Sequence, residues 1–221
     1  MGLLKHRIQA VEERIAAACA RAGRRREEIT LVAVSKVFPA QAIREAYALG
    51  LRDFGENYVQ EFESKQPDLT DLPGARFHLI GHLQSNKSRR AAELFDVIQT
   101  IDTPKLARRL NEVGKPLEVM IEVKLSSEQT KSGVSAQDLP ALVEAVRGCS
   151  HLRLIGLMTI PPWSEDPEAS RPYFRRLREL ANAAGVSGLS MGMSHDFEIA
   201  IEEGATYIRV GTAIFGPRRV T

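Results

Sequence analysis

The chain has 221 residues, 43% hydrophobic and 26% charged, with 30 basic against 28 acidic residues and a formal net charge of +2. That length suits one domain, α/β barrels included, and the near balance of charge argues against a nucleic-acid-binding surface. No apolar run reaches the roughly 18–20 residues needed to cross a bilayer, and the mixed charges after Met1-Gly2-Leu3-Leu4-Lys5-His6-Arg7 do not read as a secretory signal.

The first element is an amphipathic helix: Leu4, Ile8, Val11, Ile15, Ala18 and Ala22 recur at steps of three and four and form one apolar stripe. Gly23 ends it. A strand over 31–35 follows, then a helix over 39–49 stopped by Gly50 in the position of a left-handed cap. The same rhythm continues. Short apolar runs at 53–54, 77–80, 97–99, 117–121, 154–158, 188–190 and 207–210 bring the strands to eight. Helical patterns over 105–112, 137–146, 171–184 and 195–203 separate most of the later ones. Thr103-Pro104 supplies a cap with a first-turn proline, and Ser135 with Asp138 resembles a capping box.

Eight strand–helix units behind a leading helix predict an α/β fold, a single (β/α)8 TIM barrel spanning residues 1–221. A doubly wound sheet is the competitor, but no GxGxxG follows the first strand.

In a barrel, chemistry gathers at the carboxyl ends of the strands. Lys36 closes the run Leu31-Val32-Ala33-Val34-Ser35, where an ammonium must find a partner or lose its proton. Either state suits an amine that forms a Schiff base with an aldehyde. The segments Ser190-Met191-Gly192-Met193-Ser194 and Gly211-Thr212 follow the last two strands, where this architecture places phosphate groups. Their glycines admit close backbone approach, and the amides with the Ser194 and Thr212 hydroxyls can donate; ordinary loops have the same composition. Together with Lys36, these segments point to a phosphorylated aldehyde cofactor. Arg209 alternates with Ile208 and Val210 and so shares a face with Tyr207. From inside the barrel its guanidinium would point at an acceptor near the mouth, a pyridine nitrogen or a structural carboxylate.

Asn57 is placed to contact a bound ring, and Glu56 to orient neighbouring amines. Met158, Met191 and Met193 line either a packed core or an apolar cofactor edge. His78 and His82 lack HxH or HExxH spacing, so core or loop hydrogen bonding is the better account, and no metal site is expected. Cys19 and Cys149 stand alone, without ligand or CxxC spacing, as in a reducing cytoplasm. The loop from Pro161 through Trp163 to Pro167 reads equally as a cover for the mouth and as plain surface. Lys131, in a polar loop, ranks below Lys36 as a covalent anchor.

These motifs resemble the pyridoxal phosphate homeostasis protein family (YggS/PROSC-like), related to the alanine racemase N-terminal barrel. The matching segments include Val32-Ala33-Val34-Ser35-Lys36, Phe54-Gly55-Glu56-Asn57, His78-Leu79-Ile80-Gly81-His82, Lys131-Ser132-Gly133, Gly156-Leu157-Met158-Thr159 and Arg209 to Gly216. The resemblance implies pyridoxal 5'-phosphate on Lys36, its phosphate at Ser194, Gly211 and Thr212 with backbone help around Met191 and Gly192, Arg209 at the ring nitrogen and Asn57 beside the ring. It further implies control of free and bound vitamin B6 and of amino-acid balance without robust turnover, and no catalytic residue. The expected ligands are B6 vitamers and free amino acids; the expected partners are transient cofactor-accepting apoenzymes, for a cytoplasmic monomer that touches neither nucleic acid nor membrane. Departures at Arg76, in the 125–130 loop and at His195 bear on the pocket rim. An amino-acid racemase is the alternative, and it needs a second base opposite Lys36. Tyr58, Tyr173 and Tyr207 are the candidates, and a chain ending at Thr221 leaves no room for the racemases' additional β domain.

Overall fold

The computed structural model describes residues 2–126 and 132–217. Along the chain run α1 (Gly2–Ala22), β1 (Thr30–Val34), α2 (Ala40–Ala48), β2 (Asp53–Glu56), α3 (Val59–Lys65), β3 (Arg76–Leu79), α4 (Ser88–Leu94), β4 (Val97–Ile101) and α5 (Pro104–Asn111). Then come β5 (Leu117–Lys124), β6 (Val134–Ser135), α6 (Leu139–Arg147), β7 (Leu152–Met158), α7 (Arg171–Ala184), β8 (Gly188–Met193), α8 (Phe197–Glu202), β9 (Tyr207–Val210) and α9 (Thr212–Phe215).

Every strand pair is parallel, in the order β4-β3-β2-β1-β9-β8-β7-β5, and a β4–β5 pairing closes the ring. Eight strands therefore form the barrel, as the periodicity predicts, and closure removes the exposed edges a doubly wound sheet would keep. The two-residue β6 lies outside it, paired only to the end of β5 at Val123 and Lys124. It was missed because two residues carry no readable alternation.

Helix boundaries follow the local chemistry. Thr103 Oγ1 accepts from Leu106 N at 3.2 Å and caps α5. Gly50, at φ 102°, makes the turn after α2. The Ser135–Asp138 box is made, with Ser135 Oγ donating to Asp138 Oδ2 at 2.7 Å, but it closes ahead of the helix, which starts at Leu139.

The apolar stripe of α1 buries Ile8, Val11, Ile15 and Ala18. Arg14 and Arg21 clamp that helix to Glu198 and Glu202 of α8 at 2.7 and 2.8 Å, while Arg24 donates to the Ile201 and Ala205 carbonyls. A second core layer between strands and helices stacks Phe62 against Phe77 and Phe95, with centroids 4.6 and 4.7 Å apart. Inside, the barrel is polar along one line, and that line leads to the mouth.

Candidate functional site

Strand register assembles the mouth. Val32 lies level with both Asp53 and Arg209, and Ala33 with Val210, so the residues after β1 and β9 emerge side by side. Gly211 packs on the end of β1; a Cβ there would sit 3.3 Å from the Val34 carbonyl oxygen. Gly192, at φ +90°, turns the chain after β8 where a Cβ would fall 2.5 Å from that of Ala200. Ser194 Oγ accepts from Ala213 N at 3.3 Å and ties the two glycine-bearing segments together. Lys36, Ser194, Gly211 and Thr212 thus share one rim, while Asn57 sits on the other flank of Lys36, against Gly81. The Met191 side chain belongs to the outer core layer, because Ser190 takes the inward position beside it. Only the Met191 backbone is available to a ligand at the mouth.

Lys36 is half-buried in a tight turn. Next to it, Val37 has φ 64°, a left-handed conformation costly for a β-branched residue. Four groups hold that turn. Ser35 Oγ donates to Glu56 at 2.7 Å, Val37 N donates to Glu61 Oε1 at 2.5 Å, and Phe38 N donates to the Ser35 carbonyl at 3.1 Å. Lys65 Nζ donates to the Ser35 carbonyl at 3.1 Å, to both Glu56 oxygens at 2.9 and 3.0 Å, and to Glu61 at 2.7 Å. Glu56 does bind an amine, that of Lys65, and burial pushes its carboxyl above the ordinary range. The i,i+4 pair Glu61–Lys65 is legible on α3; its meeting with Glu56 and Ser35 is tertiary.

Arg209 is buried inside the barrel, donating to Ser190 Oγ at 2.7 Å and to the Thr159 carbonyl at 2.9 Å. Both acceptors are neutral, so the structural salt bridge allowed by the sequence is not what holds it. Burial lowers its pKa to about 10, against the raising influence of Asp196 and Glu122, and it stays a cation at neutral pH. The chain of bonds continues downward. Ser190 Oγ donates to Gln99 Oε1 at 2.6 Å, Gln99 Nε2 lies 3.1 Å from His78 Nδ1, and His78 Nε2 lies 2.8 Å from Asp53. With the Gln99 amide donating, Nδ1 accepts and Nε2–H donates to the carboxylate. Every donor therefore points from Arg209 toward Asp53. His78 is a satisfied core histidine; Gln99 carries no signal in the sequence, and Ser190, which opens the glycine segment there, bonds Arg209 and Gln99 inside the barrel.

The structure also relocates several expected rim residues. Arg76 and Tyr207 stand at the amino-terminal ends of β3 and β9, around a floor cleft with Glu118 and Arg153. Arg76 forms an ion pair with Glu118 there and does not shape the mouth. Tyr207 is removed as a base opposite Lys36, and Tyr173 lies on the outer helix α7. Tyr58 is 61% exposed. His82 is exposed and faces Asp102 at 3.4 Å. Trp163 is 75% exposed and stacks on His195 with centroids 6.5 Å apart. Lys131 and 127–130 lie outside the described residues.

One mouth residue was missed altogether. Glu122 is 7% exposed and lines a cavity of about 250 Å³ with Asn57, Ile80, His82, Lys124 and Ser126. Its Oε2 has no hydrogen-bond partner. Burial, with Asp102 adding to it and Arg209 opposing, raises its pKa to about 7. An acidic residue inside the apolar run Leu117 to Val123 was the available signal. Its folded pKa exceeds its unfolded one, so its stabilising share is full below about pH 4.5 and is lost as pH rises to about 7. We expect Glu122→Gln to remove that loss. Relative to wild type, the variant should gain about 3 kcal/mol of unfolding free energy between acid and pH 8, at about 1.4 kcal/mol per pH unit, in urea titrations across pH. Parallel pH profiles for the two proteins would reject the assignment.

The sequence profile of the alanine racemase N-terminal domain family matches residues 7–219. A Pseudomonas aeruginosa pyridoxal phosphate homeostasis protein is 49% identical over 99% of this chain and 97% of its own length. The Escherichia coli protein of the same name is 46% identical over 99% and 98%. This chain belongs to the pyridoxal phosphate homeostasis protein family. PipY of Synechococcus elongatus, solved with PLP bound, superposes with TM-score 0.83 at 40% identity, over 93% of this chain and all of that one. Alanine racemase from Corynebacterium glutamicum shares the fold alone, at 21% identity and TM-score 0.67, and this chain covers 60% of it.

Proposed function

We propose that the chain holds pyridoxal 5'-phosphate reversibly as a Schiff base on Lys36. It thereby buffers and carries the cofactor in vitamin B6 and amino-acid homeostasis, without robust catalytic turnover. The carrying observation is the braced Lys36 turn, set beside two side-chain-free glycines and a buried cation whose two bonds go to neutral acceptors. That set suits the group: bare backbone with hydroxyl donors for a phosphate, a fixed guanidinium for a ring nitrogen, an amine for an aldehyde.

When bound, the cofactor supplies a reactive aldehyde that condenses with primary amines. In this reading Ser194, Thr212 and the Met191, Gly192 and Gly211 backbone hold the phosphate, Arg209 faces the ring nitrogen, and Asn57 flanks the ring. Arg209 is anchored through the Ser190–Gln99–His78–Asp53 chain, which fixes it at the mouth without neutralising it. A guanidinium leaves the ring nitrogen largely unprotonated, which weakens the electron sink that racemisation requires. The placement of Tyr173 on the outer helix α7 and of Tyr207 at the floor, which leaves neither as a second base opposite Lys36, also favours holding over turnover.

B6 vitamers and free amino acids are the proposed small ligands, with cofactor-accepting apoenzymes as transient partners of a monomer. Two unpaired buried thiols, Cys19 and Cys149, support a reducing cytoplasmic setting. Among the described residues no helix is long and apolar enough to cross a membrane, and the net charge of +2 offers nucleic acid little attraction.

Borohydride reduction of the loaded protein, followed by mass mapping, should place the adduct on Lys36. Prolonged incubation of the unreduced holoprotein with alanine or serine should leave their chirality unchanged. An adduct elsewhere, or substantial accumulation of the opposite enantiomer, would overturn the reading.

A further inference from the structure

Four carboxylates are buried among the described residues, and three are fully engaged. Glu56 is held by Lys65 and Ser35, Asp196 by Ser170 and the Met193 amide, and Glu203 by Arg171, Arg175 and Arg178. Glu122 alone keeps a buried oxygen without a partner, on a side chain that lines the mouth cavity. A buried carboxylate left open in this way costs stability, and a native fold that saturates its other acids has kept it for a ligand.

The opposite charge needed to close it is close by but is not used. Lys124 is two residues along β5, on the same face by strand alternation, roughly 7 Å away along the backbone. It lines the same cavity. Yet no ion pair joins it to Glu122, whose electrostatic neighbours are Asp102 and Arg209. An anion and a cation held apart across one cavity match a ligand that carries both charges. Strand order adds the direction: in the ring β1-β2-β3-β4-β5-β7-β8-β9, β5 is diametrically opposite β1, so this pair faces Lys36 across the mouth.

We propose that Glu122 and Lys124 form a subsite for a free α-amino acid, Glu122 receiving its ammonium group and Lys124 its carboxylate. The subsite rests on the reading of Lys36 as the cofactor anchor and names the class of amine that takes the cofactor from it. An amino acid arrives as an ammonium and must lose one proton before its nitrogen can attack. Glu122 accepts that proton as the nitrogen lone pair is freed. As the new carbon–nitrogen bond forms, the attacking nitrogen passes a second proton to the Lys36 nitrogen, whose own bond to that carbon then breaks. The proton held by Glu122 leaves the departing amine as an ammonium. Of the remaining lining groups, Asn57 and Ser126 are neutral hydrogen-bonding partners, and His82 is already turned to Asp102.

The test is a titration of the cofactor-free protein with L-serine, followed by backbone amide NMR, beside ethanolamine and 3-hydroxypropionate, which each lack one of its charges. Saturable shifts at residues 122–126 and Gly133 are expected with serine, and weaker binding with either analogue. Glu122→Gln and Lys124→Met should each weaken serine binding by about tenfold or more, the loss of one charge-assisted contact. Glu122→Gln is at least as stable as wild type at neutral pH on the argument above, so lost binding is not unfolding. No saturable shift in the wild-type protein, or equal serine affinity in Glu122→Gln, would overturn the subsite. Reductive trapping of the cofactor on Lys36, run in parallel on the wild-type protein, keeps the two claims apart. Trapping without serine binding sinks the subsite alone, and serine binding without trapping sinks the cofactor reading alone.

Discussion

Lys36→Ala is expected to abolish the visible absorbance of the cofactor-loaded protein and to leave no borohydride-stable adduct. The effect is all-or-none because a covalent bond needs its nucleophile, and no alternative position on the described rim supplies a lysine in a comparably fixed turn. The fold should survive. Lys36 is half-buried in the turn after β1, and its neighbours are held through Ser35, Val37 and Phe38 by the backbone and by α3. Cofactor-free Lys36→Ala should therefore unfold within about 1 kcal/mol of wild type. Lys36→Arg sharpens the test: it keeps a cation at the mouth but cannot form the imine. If the arginine variant retained the absorbance band, electrostatic capture rather than covalent holding would explain it.

Lys65→Met is expected to give the largest stability loss, about 3–5 kcal/mol, because it strands a fully buried carboxylate. Lys65 Nζ forms an ion pair with Glu56, whose side chain is completely buried, and it also bonds Glu61 and the Ser35 carbonyl. With the amine gone, the Glu56 carboxyl, already pushed up by burial, rises further and takes a proton. The sign follows: the deficit should be greatest at pH 8 and should shrink as acid supplies that proton. Adding Glu56→Gln should restore part of the loss at alkaline pH. The same variant frees both sides of the Lys36 turn, so cofactor loading should weaken even where the protein is folded. Equal denaturation midpoints for Lys65→Met and wild type at pH 8 would show that the cluster contributes little.

These two lysines mark different depths of legibility. Lys36 announces itself because it ends an apolar run that must be a buried strand, and a charged amine in that place needs a reason. Lys65 sits among Glu61, Glu63 and Ser64, where a solvated helix face is the ordinary reading. Only the packing of α3 against the turn after β1 turns it into the buried cation of a three-way cluster. Arg209 lies between the two. Alternation with Ile208 and Val210 gave its face, but the acceptors it meets, Ser190 and Thr159, come from β8 and the residue after β7, 19 and 50 positions away. Glu122 is visible in the sequence as an acid among apolar strand residues, but its local pattern, shared with Glu118 four residues earlier, does not tell a buried acid from an exposed one.

The sequence alone determined the alternation of strands and helices, the helix stops at Gly23 and Gly50, and the lysine and glycine segments at strand ends, because each is set by neighbours within a turn or two along the chain. Tertiary structure decided what closed the barrel, which of the polar strand residues face one another across it, and that Arg76 and Tyr207 belong to the floor. Those outcomes depend on the register between strands far apart in sequence. A shift of one residue reverses every inward face, and local propensity carries no information about it.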